Sequence, residues 1–249
     1  MDNIKTIISQ FKKVSLSDLD KVELMNRVDL KFCFHISHAH KVFELIQDNY
    51  SALEIDGETI FPYYNTYFDT VDNQMYLNHH NGKLNRYKIR IRQYNQTNVS
   101  FLEIKFKNNK GRTIKKRVVR NEFHAPFNHA EREFIQRITP YSGEQLRPII
   151  ANSFHRITLV NNSFTERVTI DFAPGFKNEN SEVTLQNLVI VEIKQDRASS
   201  ANLLTKILRE LRLTDKGFSK YCIGRSLIED IKKNKFKPVL NKIEKEYSN

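Results

Sequence analysis

Residues 86–94 read RYKIRIRQY, and the direction in which Lys88, Arg90 and Arg92 point decides the fold. The three cations occupy every second position. In a strand, alternate side chains share a face, so the cations lie together and Ile89 and Ile91 lie opposite. One arrangement sets the isoleucines on a core and the cations in water. The other turns the cations inward, into a cavity built for a polyanion.

The alternation recurs on at least four other stretches. FLEIKFK (101–107) places Glu103, Lys105 and Lys107 on one face. TIKKRV (113–118) groups Lys115 with Arg117, and RVTID (167–171) groups Arg167, Thr169 and Asp171. VIVEIK (189–194) groups Ile190, Glu192 and Lys194. Strands are also expected over RVDLKFCFH (27–35) and PYYNTYFDT (62–70), and over FHRITLVNN (154–162) paired with FTERVTIDFA (164–173). NQTN (95–98) and NKGR (109–112) read as hairpin turns. Helices are expected over 17–25, from Ser37 as N-cap toward Tyr50, over 128–138 and 144–152, and as a pair between about Ser200 and Lys235.

A strand-rich middle with helices at both ends is an α+β pattern. On pattern alone, an open antiparallel sheet with one solvated face is the simpler arrangement. The excess of Lys and Arg over Asp and Glu at the patterned positions favours a closed antiparallel β-barrel with a charged lumen. A solvated face more often balances its cross-strand charges, and flanking helices could cover the barrel's apolar outside. Removing a lumen cation is then expected to cost no stability.

Composition agrees with a polyanionic partner. Among 249 residues, 40 are Lys or Arg and 29 are Asp or Glu, a net charge of +11. That excess suits nucleic acid, an anionic membrane or phosphate chains. A 39% hydrophobic fraction excludes disorder as the overall reading. No repeat or Gly/Pro/Ser-rich linker divides the chain. One domain over residues 1–249 is expected, with a core of about 22–235 and a basic C-terminal tail. Two cysteines make no disulfide framework and no zinc spacing. The N-terminal stretch lacks a signal peptide's apolar run, and no apolar run approaches the roughly 20 residues of a membrane helix. A soluble, cytoplasmic protein is expected, held at a membrane only through a partner.

Nine stretches in one order, RVDLKF, YFDT, KIRIRQY, FLEIKFK, TIKKR, FHRITL, RVTIDF, VIVEIK and FSKY, resemble the VTC domain family. This is the polyphosphate polymerase domain within the triphosphate tunnel metalloenzymes, also called CYTH-like. The resemblance runs from Arg27 to about Tyr221. It implies a tunnel-shaped barrel that moves the γ-phosphate of ATP onto a polyphosphate chain with Mn²⁺ or Mg²⁺. By motif it implies that Lys31, Arg90, Arg92, Lys105, Lys115, Arg156, Arg167 and Lys220 bind phosphates. Arg90, Arg92, Lys105 and Lys220 would be the catalytic cations. Ser219 would touch a phosphate, Glu192 would hold the metal, and Glu103 is a weaker metal candidate, with Asp171 beside it. Where the wider group often opens with Glu-x-Glu-x-Lys, this chain has Arg27-Val28-Asp29-Leu30-Lys31. The replaced carboxylate fits the polymerase branch and puts a second metal in doubt. Export would need a separate membrane protein, and no specific nucleic acid is expected.

Two other functions stay open: a tunnel-fold hydrolase of triphosphates, and a non-catalytic module binding polyphosphate or nucleic acid. Several residues point to no chemistry. His35, His38 and His40 straddle a strand end and a helix start and suit surface or capping roles. His79 and His80 are expected in a solvated turn. KKNKFKPVLNKIEKE (232–246) reads as a solvated helix end, with a membrane-surface patch as the alternative.

Overall fold

The computed structural model describes residues 2–20, 22, 27–94, 99–196, 202–213 and 217–247. Its strands are β1 (Lys12–Val14), β2 (Arg27–His35), β3 (Tyr50–Leu53), β4 (Phe61–Thr70), β5 (Arg86–Tyr94), β6 (Val99–Lys107), β7 (Thr113–Arg120), β8 (Leu146–Asn161), β9 (Glu166–Lys177), β10 (Glu182–Thr184) and β11 (Leu188–Asp196). The helices are α1 (Asp2–Ser9), α2 (Leu16–Leu19), α3 (Ala39–Ile46), α4 (Gln74–His80), α5 (His129–Ile138), α6 (Leu203–Glu210), α7 (Lys220–Ile228) and α8 (Lys237–Glu246). No helix among the described residues is long and apolar enough to cross a membrane.

One sheet holds all the strands, in the order β2-β11-β9-β8-β4-β5-β6-β7, with β1, β3 and β10 attached at the side. Every neighbouring pair on that path is antiparallel. The alternation read from RYKIRIRQY sorts the two faces. Ile89, Ile91, Leu102 and Ile104 point outward and are buried under Phe134 and Ile135 of α5. On the other half, Phe32, Ile157, Val168, Ile170, Val189 and Val191 are buried under α1, α3 and α6. The cations of the same strands therefore face inward.

The sheet is strongly curled. Glu192 on β11 and Lys105 on β6 are five strand spacings apart along the sheet, about 24 Å if it were flat. Yet each perturbs the other's proton affinity. The curl stops short of the expected closed barrel. β2 and β7 are the two ends of the order and do not pair with each other. The result is a trough, with β7 its most exposed strand.

Helix α7 fills the floor of one end. Phe218, Tyr221 and Cys222 pack there against the inward residues Cys33, Tyr67, Ile150 and Ile190. Gly224 lets the helix come this close, because a Cβ there would lie 2.3 Å from the Phe176 ring. Asp69 ties α4 to this plug. It accepts hydrogen bonds from the backbone N–H groups of Met75 and Tyr76, at 2.9 Å each, and from the Tyr221 hydroxyl.

Four local expectations need correction. Residues 144–152 are not a helix. A 3₁₀ turn over Gly143–Gln145 leads directly into β8. Pro148 cannot continue a helix, and it falls where the β4–β8 register shifts between Tyr67 and Phe68, a place that tolerates a missing donor. Ser37 does not cap α3; it sits in a 3₁₀ turn (Ile36–His38) that the His35 ring caps. His79 and His80 belong to α4, and His80 is buried against Phe236. The C-terminal stretch is solvated on one side only: Lys235, Lys237, Glu244 and Lys245 are exposed, while Ile243 and the following Tyr247 are each 2% exposed and the Tyr247 hydroxyl donates to the Cys33 carbonyl. The NQTN turn lies outside the described residues, as do parts of 17–25 and of TDKGFSK.

Ile89 has no exposed surface. Ile89→Ala is expected to cost roughly 2–5 kcal/mol, measured by urea unfolding. A loss below about 1 kcal/mol would mean that the two faces of β5 are assigned the wrong way round.

Candidate functional site

The inward face gathers its charge into three clamps. In the first, Glu103 has no exposed surface. Its Oε2 accepts from Arg90 Nε at 2.8 Å and from Arg90 Nη2 at 2.5 Å, while Lys115 pairs with Oε1. In register Arg90 lies directly opposite Glu103, while Lys115, opposite Lys105 on β7, reaches Glu103 diagonally. Burial opposes the charge on Glu103, but Arg90, Arg92 and Lys115 outweigh it and hold the carboxyl far below its usual range. In the second clamp, Asp171 on β9 receives Arg156 Nε at 2.5 Å and Nη2 at 2.8 Å, with Lys220 from α7 on the same carboxylate. Burial again opposes ionisation, and Arg156 and Lys220 bring its pKa down to about 2. In the third, Glu192 accepts from Lys31 at 2.5 Å across the β11–β2 pair. Burial opposes its charge, while Lys194, Lys31 and Lys105 lower its pKa well below normal.

The clamps leave cations over. Among the described residues, Lys105 has no hydrogen bond or ion pair. Arg90 first, then burial and Arg92, depress its pKa well below the usual value. Arg92 is held by the neutral Asn65 Oδ1 at 2.7 Å and lies over the Tyr63 ring at 5.3 Å. Lys88 donates to Ser219 Oγ at 3.0 Å, the same hydroxyl that caps α7 by accepting from Cys222 N. Ser219 and Lys220 thus bring the start of α7 into the charged layer. Arg167 stands apart; on β9 it is paired in register with Lys194, whose pKa burial, with Arg156 and Arg167, brings down to about 8.

Every residue singled out from the sequence therefore falls on the inward face or at the head of α7. Sequence reasoning missed what steadies them. Asn65 orients Arg92 and, at 3.4 Å, reaches Asn152, which donates to the Gly175 carbonyl at 2.8 Å. Tyr67 accepts from Arg90 Nη1 at 3.3 Å. The signal is present, because alternation in PYYNTYFDT puts Tyr63, Asn65 and Tyr67 on one face. A cleft of about 620 Å³ lined by Asp72, Asn78, Lys83, Tyr87 and Tyr141 lies elsewhere and holds none of the clamped residues.

The donor set for a divalent ion is narrow. Among the described residues no three of His, Cys, Asp and Glu converge. Glu103 and Asp171 are each engaged by two cations. Glu192 remains, with Lys31 as its ion-pair partner. One carboxylate fits Mg²⁺ or Mn²⁺ shared with phosphate oxygens, as is usual for Mg²⁺, and does not fit an ion caged by protein.

The clamps also separate cations that stabilise from those that do not. Lys105→Met is expected to raise the melting temperature of the ligand-free protein, since it relieves repulsion from Arg90 and Arg92. Arg90→Met is expected to lower it. Breaking a buried pair costs roughly 3–5 kcal/mol, reduced here because Lys115 stays on Glu103. For Arg90 the expected direction is opposite to that read from the sequence, because Glu103 would lose one of its two cations. Equal shifts in the two variants, read by thermal unfolding, would contradict the assignment of Glu103 as the counterion of Arg90.

Comparison with known proteins gives a consistent picture. No curated protein matches the sequence significantly. Among solved structures, the adenylyl cyclase candidate HpAC1 from Hippeastrum, described as having a dominant triphosphatase activity, aligns with a TM-score of 0.52 at 13% identity, covering 84% of this chain and 99% of that one. Adenylate cyclase candidates from Vibrio parahaemolyticus (TM-score 0.48, 9% identity, 82% of this chain and 99% of that one) and Bacillus halodurans (0.46, 14%, 78% and 96%) also align. At these identities the Hippeastrum protein shows a shared fold and nothing more. Residues 26–229, which include all three clamps and the head of α7, match the VTC domain; the chain belongs to the VTC domain family.

Proposed function

We propose that this protein is an ATP-dependent polyphosphate polymerase. The observation that carries the reading is the cation surplus in the trough. All three carboxylates of the clamps are already held by cations, yet Lys88, Arg92 and Lys105 still lack a carboxylate partner among the described residues. Such a site gains by taking in a chain of phosphates. Arg suits bidentate grip and Lys a point charge.

In the proposed reaction a terminal oxygen of the phosphate chain attacks the γ-phosphorus of ATP. The bond from that phosphorus to the β,γ-bridging oxygen breaks, and ADP leaves with the bond's electron pair. The transferring group spreads charge over its equatorial oxygens, so alignment and fixed cations supply most of the catalysis. The attacking oxygen is already ionised and needs no base. That suits a site whose carboxylates are engaged as counterions. Arg90, Arg92, Lys105 and Lys220 would face the transferring group, with Lys31, Lys115, Arg156, Arg167 and Ser219 gripping the rest of the chain. Glu192 would hold a divalent ion jointly with phosphate oxygens, and that ion would offset negative charge. Glu103 and Asp171 are assigned as counterions that position Arg90 and Arg156.

Incubation of the purified protein with ATP and Mn²⁺, followed by gel electrophoresis, is expected to yield long phosphate chains and ADP. Free phosphate in their place would make it a triphosphatase, and no turnover with retained polyphosphate binding would make it a binding module. Glu192→Gln keeps the shape and removes the charge. It is expected to reduce turnover by orders of magnitude while tripolyphosphate still raises the melting temperature by linkage. Unchanged turnover and metal dependence in this variant would move the metal away from Glu192.

A further inference from the structure

Four residues before Tyr67 on β4 the inward face becomes aromatic again, beginning at Phe154, whose ring lies 4.5 Å from Lys220 Nζ at the head of α7. Tyr63 stacks on Phe154 with centroids 5.4 Å apart and meets Tyr94 at 5.2 Å. Tyr94 meets Phe101 edge-on at 5.7 Å. The register then runs from Arg92 through Phe101 to Val119. Tyr94 and Phe101 keep part of their surface in water, and Val119 is 64% exposed. The guanidinium of Arg117 lies over the Phe101 ring at 4.4 Å. Tyr63 packs against the core residues Leu53, Phe61 and Val160, and Phe154 is buried, but Tyr94 and Phe101 join no core cluster, and the opposite faces of their strands carry the core through Ile91 and Leu102.

A half-buried aromatic rim thus adjoins a layer of surplus cations. The two features together suit a ligand with one flat apolar end and one polyanionic end. An inorganic phosphate chain lacks the first. A nucleoside triphosphate has both. Phe101 and Lys105 are four residues apart on one strand, about 13 Å, a stretch for a ribose and its phosphates to cover.

We propose that Tyr94, Phe101 and Arg117 form the seat for the base of a nucleoside triphosphate whose phosphates occupy the cation layer. The proposal rests on the polyphosphate reading above and names its nucleotide subsite. Stacking reads the face of a base and not its edge, so the seat favours nucleoside triphosphates over inorganic tripolyphosphate and tolerates every base. Purines, with the larger face, bind best.

The test measures the affinities of ATP, CTP and tripolyphosphate by calorimetry for the parent protein and for Phe101→Leu. Leucine keeps apolar bulk and removes the aromatic face. The parent is expected to bind ATP about tenfold more tightly than tripolyphosphate, with CTP between them. Phe101→Leu is expected to lose most of that preference and leave tripolyphosphate affinity unchanged. Fluorescence of an etheno-adenine triphosphate gives a second reading, since its change on binding reports stacking and should shrink in the variant. If the parent binds tripolyphosphate as tightly as ATP, or if Phe101→Leu keeps the full preference, the seat is wrong and the polyphosphate reading stands. If the parent binds neither ligand, both readings fall.

Discussion

A buried glutamate with two cations on it is the interaction on which the rest of this molecule depends. Without Glu103, β5, β6 and β7 would bring Arg90, Lys105, Lys115 and Arg117 onto one concave face with nothing between them. Glu103 draws Arg90 and Lys115 to its two oxygens and so fixes the spacing of three strands. Asp171 does the same for Arg156 and Lys220, and it ties a strand to a helix from a distant part of the chain. The carboxylates are too few to neutralise the face. That shortage leaves the concave side short of negative charge, and an entering phosphate chain would supply it.

The second constraint is the floor. A face made wholly of cations would have to be wet along its length. Here Tyr67, Ile150, Ile190 and Cys33 give one end of the same face an apolar character that α7 covers. The helix is held by close approach at Gly224 and by the Asp69–Tyr221 hydrogen bond, with Arg225 bridging onward to Glu229. Its first residues, Ser219 and Lys220, are thereby delivered at the boundary between apolar floor and charged layer. A flexible loop carrying the same two residues could not position them as well, because the helix cap at Ser219 fixes the hydroxyl that also meets Lys88.

Much of this is legible in the amino-acid sequence. Alternation in RYKIRIRQY, FLEIKFK and VIVEIK yields the inward set on β5, β6 and β11, since a period of two leaves little freedom once one face is apolar. Partnership is not legible in the same way. Period two places Arg90 and Lys105 on one face without saying that the first is clamped and the second is not. That depends on register between strands: Lys105 shares β6 with Glu103, and a cross-strand step of two residues would set Lys88 or Arg92, and not Arg90, opposite Glu103. The helix expected over 144–152 fails because hydrophobic spacing there suits either state, and pairing with β4 decides it. Closure is over-read for a related reason. Counting cations argues that a face points inward, but it carries no information on whether the last strand reaches the first, and here β2 and β7 do not pair.

The unjoined seam between β2 and β7 has a topological consequence. A closed barrel is a ring, and a long polymer inside a ring can enter or leave only by its ends. A trough is not a ring. On the proposed function, a phosphate chain lying in it would be gripped along its length with no continuous ring of paired strands around it, and a segment far from either terminus would then be laid in or lifted out sideways. Retention of such a chain would then be set by the number of cations touching it at one time and would fall with ionic strength, where encirclement would make it far less sensitive to salt.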